Sequence, residues 1–274
     1  MILLFHIPLS IIVSPLLWVG CASTSLDFSY EEKYDIYPEP STNQEPAPEE
    51  PSQEDTADSP IEVQDPYCPE YMVSVRDELD QPVYCIDMYE MTLSDGELGN
   101  MDQGANFPDG STEALAISVP SEAPDLYFSW YQAVALCQNA EKYLCSSAEW
   151  VDGCDGVYGD GGTNFPYGNN WIEGYCAARL GEEAQAYDSV QPTGTHPECE
   201  SAWGTFDQIG NAWEWTDPMQ TDDEGLPITN KMGASYYSGG GNIQCGNSPV
   251  ANHPPEFGGV ISARCCTSPT YPQE

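Results

Sequence analysis

The chain has 274 residues, with 45 acidic side chains against 6 basic ones and a formal charge of −39 at neutral pH. Its basic residues occur singly, whereas phosphate binding needs clustered Lys and Arg, so nucleic acid is excluded as a partner and anionic membrane surfaces are disfavoured. Divalent cations, basic ligands or a high-salt habitat fit this charge, and so does an acidity that serves only solubility.

Residues 1–20 are almost wholly apolar and are followed at once by Cys21. A short apolar run of this kind is typical of a secretory signal peptide. The string Trp18-Val19-Gly20-Cys21 is similar to the bacterial lipobox, which predicts an exported protein of the cell envelope with a lipid anchor on Cys21. Ala22 after the cysteine favours the outer membrane. Simple cleavage and a retained anchor are the alternatives.

Residues 21–66 combine proline with acidic side chains and offer little to bury. Segments of this composition stay extended and solvated. We interpret this region as a disordered tether. Residues 67–274 then form one folded domain that is long enough for an ample core.

The folded region begins with a predicted hairpin. Residues 71–75 and 83–86 read as two strands, with residues 80–82 in the turn between them. Cys68 and Cys85 flank this hairpin, which predicts a disulfide between them.

Two helices are predicted further along the chain. Apolar residues repeat at helical spacing over 130–137 after Ser129, a good N-cap residue. Ser146 and Glu149 form a capping box that begins a second short helix through Trp150. The rest is loop-rich with sparse strands, so its stability must depend on crosslinks, each contributing about 2–4 kcal/mol.

The chain has eleven cysteines and no C-x-x-C pair of the kind that binds zinc. With Cys21 set aside for lipid, ten remain, which allows five disulfides and indicates an oxidising compartment. The ten candidates for disulfides are Cys68, Cys85, Cys137, Cys145, Cys154, Cys176, Cys199, Cys245, Cys265 and Cys266.

An Asp-x-x-Gly-Asn turn runs directly into a Trp-Glu-Trp segment near residue 210. Asp207 and Glu214 are hard oxygen donors, and a bent backbone between them can aim the carbonyls of Gly210 and Ala212 at the same point. Carboxylates mixed with backbone carbonyls are the ligands that calcium prefers. The alternative is that the tryptophans belong to the core and that the Glu214 carboxylate accepts an indole N–H.

This segment, Gly210-Asn211-Ala212-Trp213-Glu214-Trp215, resembles the signature of the formylglycine-generating enzyme family, also called sulfatase-modifying factors. Six further segments resemble the family in the same order, so that the similarity covers about residues 68–268. They are residues 84–92, 128–133, 142–150, 165–169, 239–242 and 264–266.

The resemblance implies a fold and a metal. The fold is α+β and C-type-lectin-like, loop-rich, with few short strands and two helices, and stapled by disulfides. One structural calcium site of the family maps onto Asp207, Gly210, Ala212 and Glu214. A second family site falls near residues 176–178 and 185–187, which lack the required Asn and Asp side chains, so we expect that site to be lost.

The resemblance also bears on catalysis. Enzymes of this family oxidise a cysteine of sulfatases with a copper ion held by two thiolates, the second lying five residues after the first. The first maps to Cys245 and the second would be Val250, so we expect no copper site and no catalytic residue. Cys245 is then predicted to pair with Cys265 or Cys266, which as neighbours cannot easily bond each other. The iron-dependent branch needs more ligands than His196 and His253 supply.

We therefore interpret the chain as a lipid-anchored, calcium-stabilised domain that acts by binding a peptide, a glycan or an envelope protein. Aromatic residues available for a groove are Trp171, Tyr175, Tyr236 and Tyr237. The alternative is a redox enzyme of the formylglycine-generating class with an atypical site that uses Cys245. A purely structural spacer of the envelope is a third possibility.

Overall fold

The computed structural model describes residues 64–94, 114–179, 187–221, 223, 225, 227–238, 243–246, 250–253 and 259–271. The chain divides after residue 57, and all described residues belong to the unit 58–274. The predicted signal peptide, Cys21 and nearly all of the tether lie outside the described residues. Among the described residues, no helix is both long enough and apolar enough to cross a bilayer.

Short strands and two helices make up the regular structure of the described residues. In chain order they are β1 (Met72–Arg76), β2 (Pro82–Asp87), β3 (Met91–Leu93), β4 (Ala116–Ser118), α1 (Trp130–Asn139), β5 (Tyr143–Leu144), α2 (Ser147–Asp155), β6 (Trp213–Thr221), β7 (Pro227–Gly233), β8 (Val250–His253), β9 (Ile261–Ala263) and β10 (Cys265–Thr267).

These strands form three small sheets. The first has the order β1-β2-β10-β5, the second pairs β3 with β4, and the third has the order β8-β7-β6-β9. Pairing is antiparallel except between β6 and β9, which run parallel. Strands β9 and β10 are separated by Arg264 alone, so this residue connects the first sheet to the third.

The predicted hairpin is confirmed as β1 and β2, with a register shift between Val75 and Arg76. Its turn is held by Asp77, whose Oδ1 accepts the backbone N–H groups of Leu79 and Gln81, both at 2.9 Å. The predicted disulfide between the flanking cysteines is also present.

Both predicted helices are present, and both begin with a capping box. Ser129 and Gln132 form the first, at the start of α1. Ser146 and Glu149 form the second, at the start of α2. Helix α2 continues past the predicted end at residue 150 to residue 155, because the buried positions of Trp150 and Cys154 keep the helical spacing against the core.

The five disulfides predicted from the cysteine count are present among the described residues. They join Cys68 to Cys85, Cys137 to Cys265, Cys145 to Cys266, Cys154 to Cys245, and Cys176 to Cys199.

The predicted partner of Cys245 is wrong. Cys245 bonds Cys154 at the end of α2, whereas Cys265 and Cys266 bond other cysteines. Successive side chains of a strand point to opposite faces. Cys265 therefore faces the core cluster of α1, and Cys266 faces the cluster of the first sheet. The expectation that these two neighbours would not bond each other is correct.

Candidate functional site

The predicted turn before β6 is present and depends on left-handed backbone conformations. Asp207, Gly210 and Asn211 have φ values of 61°, 102° and 54°. A Cβ atom on Gly210 would lie 2.6 Å from the carbonyl oxygen of Ala177, so the close approach of two backbone segments requires glycine there. The turn leads into β6, in which Glu214, Trp215 and Thr216 are buried.

Glu214 lies on β6 in a fully buried ion pair with Arg264. The Nε and Nη2 atoms of Arg264 lie 2.7 Å from Oε2 and Oε1 of Glu214, so the pairing is bidentate. The indole Nε1 of Trp150 also donates to Oε2, at 2.7 Å. The alternative interpretation of Glu214 as an acceptor of an indole N–H is therefore observed. A carboxylate offers about four lone pairs, so one position on Oε1 is left for a further ligand.

Arg264 has all five of its N–H groups engaged. Two donate to Glu214, and the other three donate to the backbone carbonyls of Asp87, Met88 and Phe206 at 2.9, 3.2 and 2.9 Å. Sequence reasoning missed this role. The position of Arg264 beside Cys265, in a segment that resembles the family, was an available signal. No residue near Arg264 in the sequence indicated that its partner is Glu214.

Glu90 is a second buried carboxylate that sequence reasoning missed. Its Oε1 accepts the backbone N–H of Ala212 at 2.9 Å, and its Oε2 accepts the side-chain amide of Asn211. Burial raises the pKa of Glu90 well above its usual value, and the negative charges of Asp207 and Glu214 raise it further. In the sequence, the available signal for a buried carboxylate was the position of Glu90 directly before the apolar residues of β3.

Asp207 belongs to the same buried centre. Its Oδ2 accepts the backbone N–H of Gly194 at 2.7 Å. Burial raises the pKa of Asp207 to about 6, while this hydrogen bond and Arg264 act in the opposite direction. The negative charge of Glu214 also raises the pKa of Asp207, so the two carboxylates interact electrostatically. Three carboxylates therefore face one guanidinium.

The charge balance of this centre suits a divalent cation. When all three are ionised, Glu90, Asp207 and Glu214 place three negative charges near the single positive charge of Arg264, and the pKa values of Glu90 and Asp207 are raised accordingly by burial and by neighbouring carboxylates. Among the described residues, no three His, Cys, Asp or Glu side chains are arranged to hold a metal ion by themselves. A cation here would therefore depend on backbone carbonyls, as calcium commonly does. The donor set of Asp207, Gly210, Ala212 and Glu214 is of this mixed kind.

The second family calcium site falls partly on described residues. Cys176 is bonded to Cys199, and the carbonyl of Ala177 accepts the backbone N–H of Asn211 at 3.0 Å. Residues 185 and 186 lie outside the described residues, so the expected loss of this site stays a prediction.

The aromatic residues suggested for a groove are partly accessible. Trp171, Tyr175 and Tyr236 are half-buried, and Tyr237 is 48% exposed. The indole of Trp171 donates to a carboxylate oxygen of Glu173 at 2.8 Å. These side chains leave part of their ring surface available for a ligand.

Cys245, the residue considered for catalysis, is fully buried and bonded to Cys154. The ten cysteines from Cys68 to Cys266 are all paired in the described part of the chain, which therefore carries no free thiol.

The sequence matches the model of the sulfatase-modifying factor enzyme 1-like domain over residues 40–260. The chain therefore belongs to this family. The predicted fold class is confirmed: the domain is α+β, loop-rich and disulfide-stapled, with the C-type-lectin-like fold of the family.

Individual relatives are more distant. A formylglycine-generating enzyme of Mus musculus is 28% identical over 162 residues, which cover 53% of this chain and 42% of the relative. A hercynine oxygenase of Mycolicibacterium smegmatis is 29% identical over 113 residues, covering 40% and 25%. The chain thus spans less than half the length of these relatives.

Solved structures resemble the chain more weakly. Treponema denticola variable protein 1 has a TM-score of 0.48 at 16% identity, covering 74% of this chain and 93% of that one. CarF has a TM-score of 0.46 at 15% identity, covering 74% and 94%.

Proposed function

We propose that this protein is a non-catalytic member of the family that acts by binding a peptide, a glycan or an envelope protein. The observation that carries the proposal is the disulfide between Cys154 and Cys245. Copper(I) binds soft thiolates, and a sulfur held in a disulfide is not a thiolate. The scaffold motifs of the family are present, while the residue considered for copper binding serves as a crosslink.

Thiol labelling and copper titration test this proposal together. The natively expressed protein should take up no alkylating label when unfolded without reductant and should bind no stoichiometric copper(I). A Cys154→Ala variant, which frees Cys245, should gain one label and serves as the positive control. Stoichiometric copper uptake by the unmodified protein, with oxidation of a cysteine-containing peptide, would establish the redox alternative instead.

Calcium at the turn before β6 is the second part of the proposal. Asp207 and Glu214 would provide carboxylate oxygens, and Gly210 and Ala212 would provide carbonyls. The ion would offset the excess negative charge of the buried centre and so stabilise the turn, without a part in chemistry.

A chelator provides the test of this metal. Addition of EDTA should lower the melting temperature of the protein, and excess calcium should restore it. An Asp207→Asn variant should respond less, whereas an Asp188→Asn variant, changed at an exposed position, should respond as the unmodified protein does. An unchanged melt with EDTA would remove the calcium site from the proposal.

The final part of the proposal is export and attachment to the outer membrane through an acylated Cys21, with the acidic segment as a spacer. Its support is the apolar run before Cys21 and the number of disulfides, which form in oxidising compartments. Mass spectrometry of the mature N-terminus should find a diacyl or triacyl modification, and a Cys21→Ser variant should be released from membranes. An unmodified N-terminus in the native protein would contradict the anchor.

A further inference from the structure

The basic side chains of the described residues fall into two groups. Arg76, Lys142 and Arg264 each form an ion pair with a carboxylate. Lys231 and Arg179 form none with any residue that the structure describes, and the buried Nε of Arg179 has no hydrogen-bond partner there. In a chain with 45 acidic residues, basic side chains without a carboxylate partner need a physical reason.

Lys231 is the more buried of the two. It lies on β7 with 9% of its surface exposed, diagonally opposite Trp213 on β6. Its Nζ is 4.7 Å from the centroid of the Trp213 ring. Burial lowers the pKa of Lys231, and no carboxylate of the described residues forms an ion pair with it. The cation–π contact offsets only part of the cost of removing an ammonium group from water.

Lys231 contacts a residue of a small apolar cluster, and Arg179 is the chain neighbour of another of its residues. This cluster consists of Ala178, Ala234 and Ile243, with the half-buried indoles of Trp171 and Trp213 packed against it. Arg179 directly follows Ala178 in the chain, and Lys231 directly contacts the ring of Trp213. Two indoles belong to this cluster, and two basic residues without a carboxylate partner in the described part of the chain adjoin it, one by contact and one along the chain.

We propose that Lys231 and Arg179 flank a recognition site for a carboxylate group of an acidic peptide, with the indoles of Trp171 and Trp213 as its apolar walls. The inference rests on the proposed binding function and names the class of its ligand. A carboxylate forms short, charge-assisted hydrogen bonds with both cations. An apolar side chain next to that carboxylate packs on the accessible parts of the indole rings.

A peptide fits this site better than a polysaccharide of uronic acids. The cluster behind the indoles consists of alanine and isoleucine side chains, which have no groups to hydrogen-bond sugar hydroxyls.

The positive charge of this site is local, because the chain as a whole is strongly acidic. At long range the net charge of −39 repels an acidic ligand, so association should become faster as salt is added, since exposed charges are screened first.

Matched peptides test the proposal on the full-length protein. Acetyl-Phe-Glu-amide and acetyl-Phe-Gln-amide have nearly the same shape and differ in the carboxylate. Tryptophan fluorescence titration should find about tenfold tighter binding of the Glu peptide, the effect of roughly one charge-assisted hydrogen bond. The Lys231→Met and Arg179→Met variants should each lose most of this preference. An Arg76→Met variant, changed in an exposed ion pair, should keep it.

Several results would overturn the inference. Equal binding of the two peptides, or a preference that persists in both the Lys231→Met and Arg179→Met variants, would remove the carboxylate site. Binding of methyl glucuronide that depends on Lys231, without binding of the Glu peptide, would assign the site to a polysaccharide. Far-ultraviolet circular dichroism and the melting temperature confirm that each variant is folded.

The proposed function and this inference fail in different ways. Copper-dependent turnover in the thiol assay would refute the proposed function, whatever the peptides do. Failure of the peptides to bind as expected would by itself refute only this inference.

Discussion

Strand β6 separates two very different electrostatic environments. Consecutive side chains of a strand point to opposite faces of the sheet, so the side chains of Glu214 and Trp213 lie on opposite faces. On the Glu214 side, Arg264 is buried with every N–H group engaged. On the Trp213 side, Lys231 is nearly as buried but contacts a ring instead of a carboxylate.

The difference separates a structural role from a binding role. A buried charge whose hydrogen bonds are all satisfied within the chain holds strands in place and has nothing left to offer a ligand. A buried charge without a partner is costly to the fold, and an external anion relieves that cost. We therefore assign the Glu214 side to stability and the Trp213 side to recognition.

The largest effect is expected from Arg264→Met. The substitution leaves the buried Glu214 carboxylate without its cation, close to two further carboxylates. Loss of one partner of a buried ion pair costs about 3–5 kcal/mol. Urea unfolding with intact disulfides measures the change. The Arg76→Met control, in partly exposed ion pairs at 3.7 and 3.8 Å, should cost less than about 1 kcal/mol. Equal costs for the two variants would contradict the structural role of Arg264.

A smaller loss is expected from Gly233→Ala, at the position on β7 that pairs with Trp213. Gly233 has a φ of 78°, and a Cβ there would lie 2.3 Å from the backbone oxygen of Gln208, so the substitution should force the two segments apart. We expect a destabilisation of more than about 2 kcal/mol, measured by thermal and urea unfolding.

Gly225→Ala is the matched control for this prediction. Gly225 has a φ of 79°, nearly the same as that of Gly233, but among the described residues no atom lies within 4 Å of its added Cβ. Its substitution should cost only the backbone strain, about 1 kcal/mol. If both alanine variants lose the same stability, close packing at Gly233 does not constrain the strand pair.

Asp155, at the end of α2, is a buried acidic group without a paired cation among the described residues. Burial raises the pKa of Asp155 to about 6, against a small opposing effect of the hydrogen bond from the Val157 N–H, and no cation pairs with it among the described residues. The native state therefore holds the proton more tightly than the unfolded state, whose carboxyl has a pKa of about 3.9. Its contribution to stability is greatest below pH 4 and is lost as the pH rises through 6.

Asp155→Asn removes this titration and keeps the acceptor oxygen. The variant should gain stability relative to the unmodified protein between pH 4 and pH 7, reaching on the order of 1 kcal/mol. Urea unfolding across this pH range measures the difference. Asp188→Asn, at an exposed position, is the control for removal of one surface carboxylate. A flat profile for Asp155→Asn would mean that its carboxyl titrates normally.

The smallest effect on stability is expected from Lys231→Met, the counterpart of Arg264→Met on the other side of β6. Removing a desolvated ammonium without a carboxylate partner should change the free energy of unfolding by less than about 1 kcal/mol and can stabilise the fold. Urea unfolding of the two methionine variants side by side provides the comparison. A loss as large as that of Arg264→Met would show that the chain itself supplies an anion to Lys231.

Local sequence patterns predicted much of the fold. The N-cap at Ser129, the capping box at Ser146, the hairpin, and the turn before β6 each depend on residues a few positions apart, so the sequence carries their signal directly. The pairing of Cys68 with Cys85 was predictable for the same reason. The family motifs extended this reading to the fold class.

The partner of Cys245 could not be predicted in this way. Ten cysteines allow many connectivities, and the observed bond spans 91 residues. Likewise, Glu90 and Arg264 are far apart in sequence, so their role in the buried centre emerges only when the sheets come together.

The sequence alone determined the helix starts, the hairpin, the tight turn and the family, since each depends on short-range backbone preferences or on motifs in a fixed order. Only the tertiary structure decided the pairing of the other eight disulfide-bonded cysteines and which charges are neutralised. Burial and charge pairing depend on residues brought together from distant segments. For that reason Arg264 and Lys231, which are both basic residues, have opposite roles in the fold.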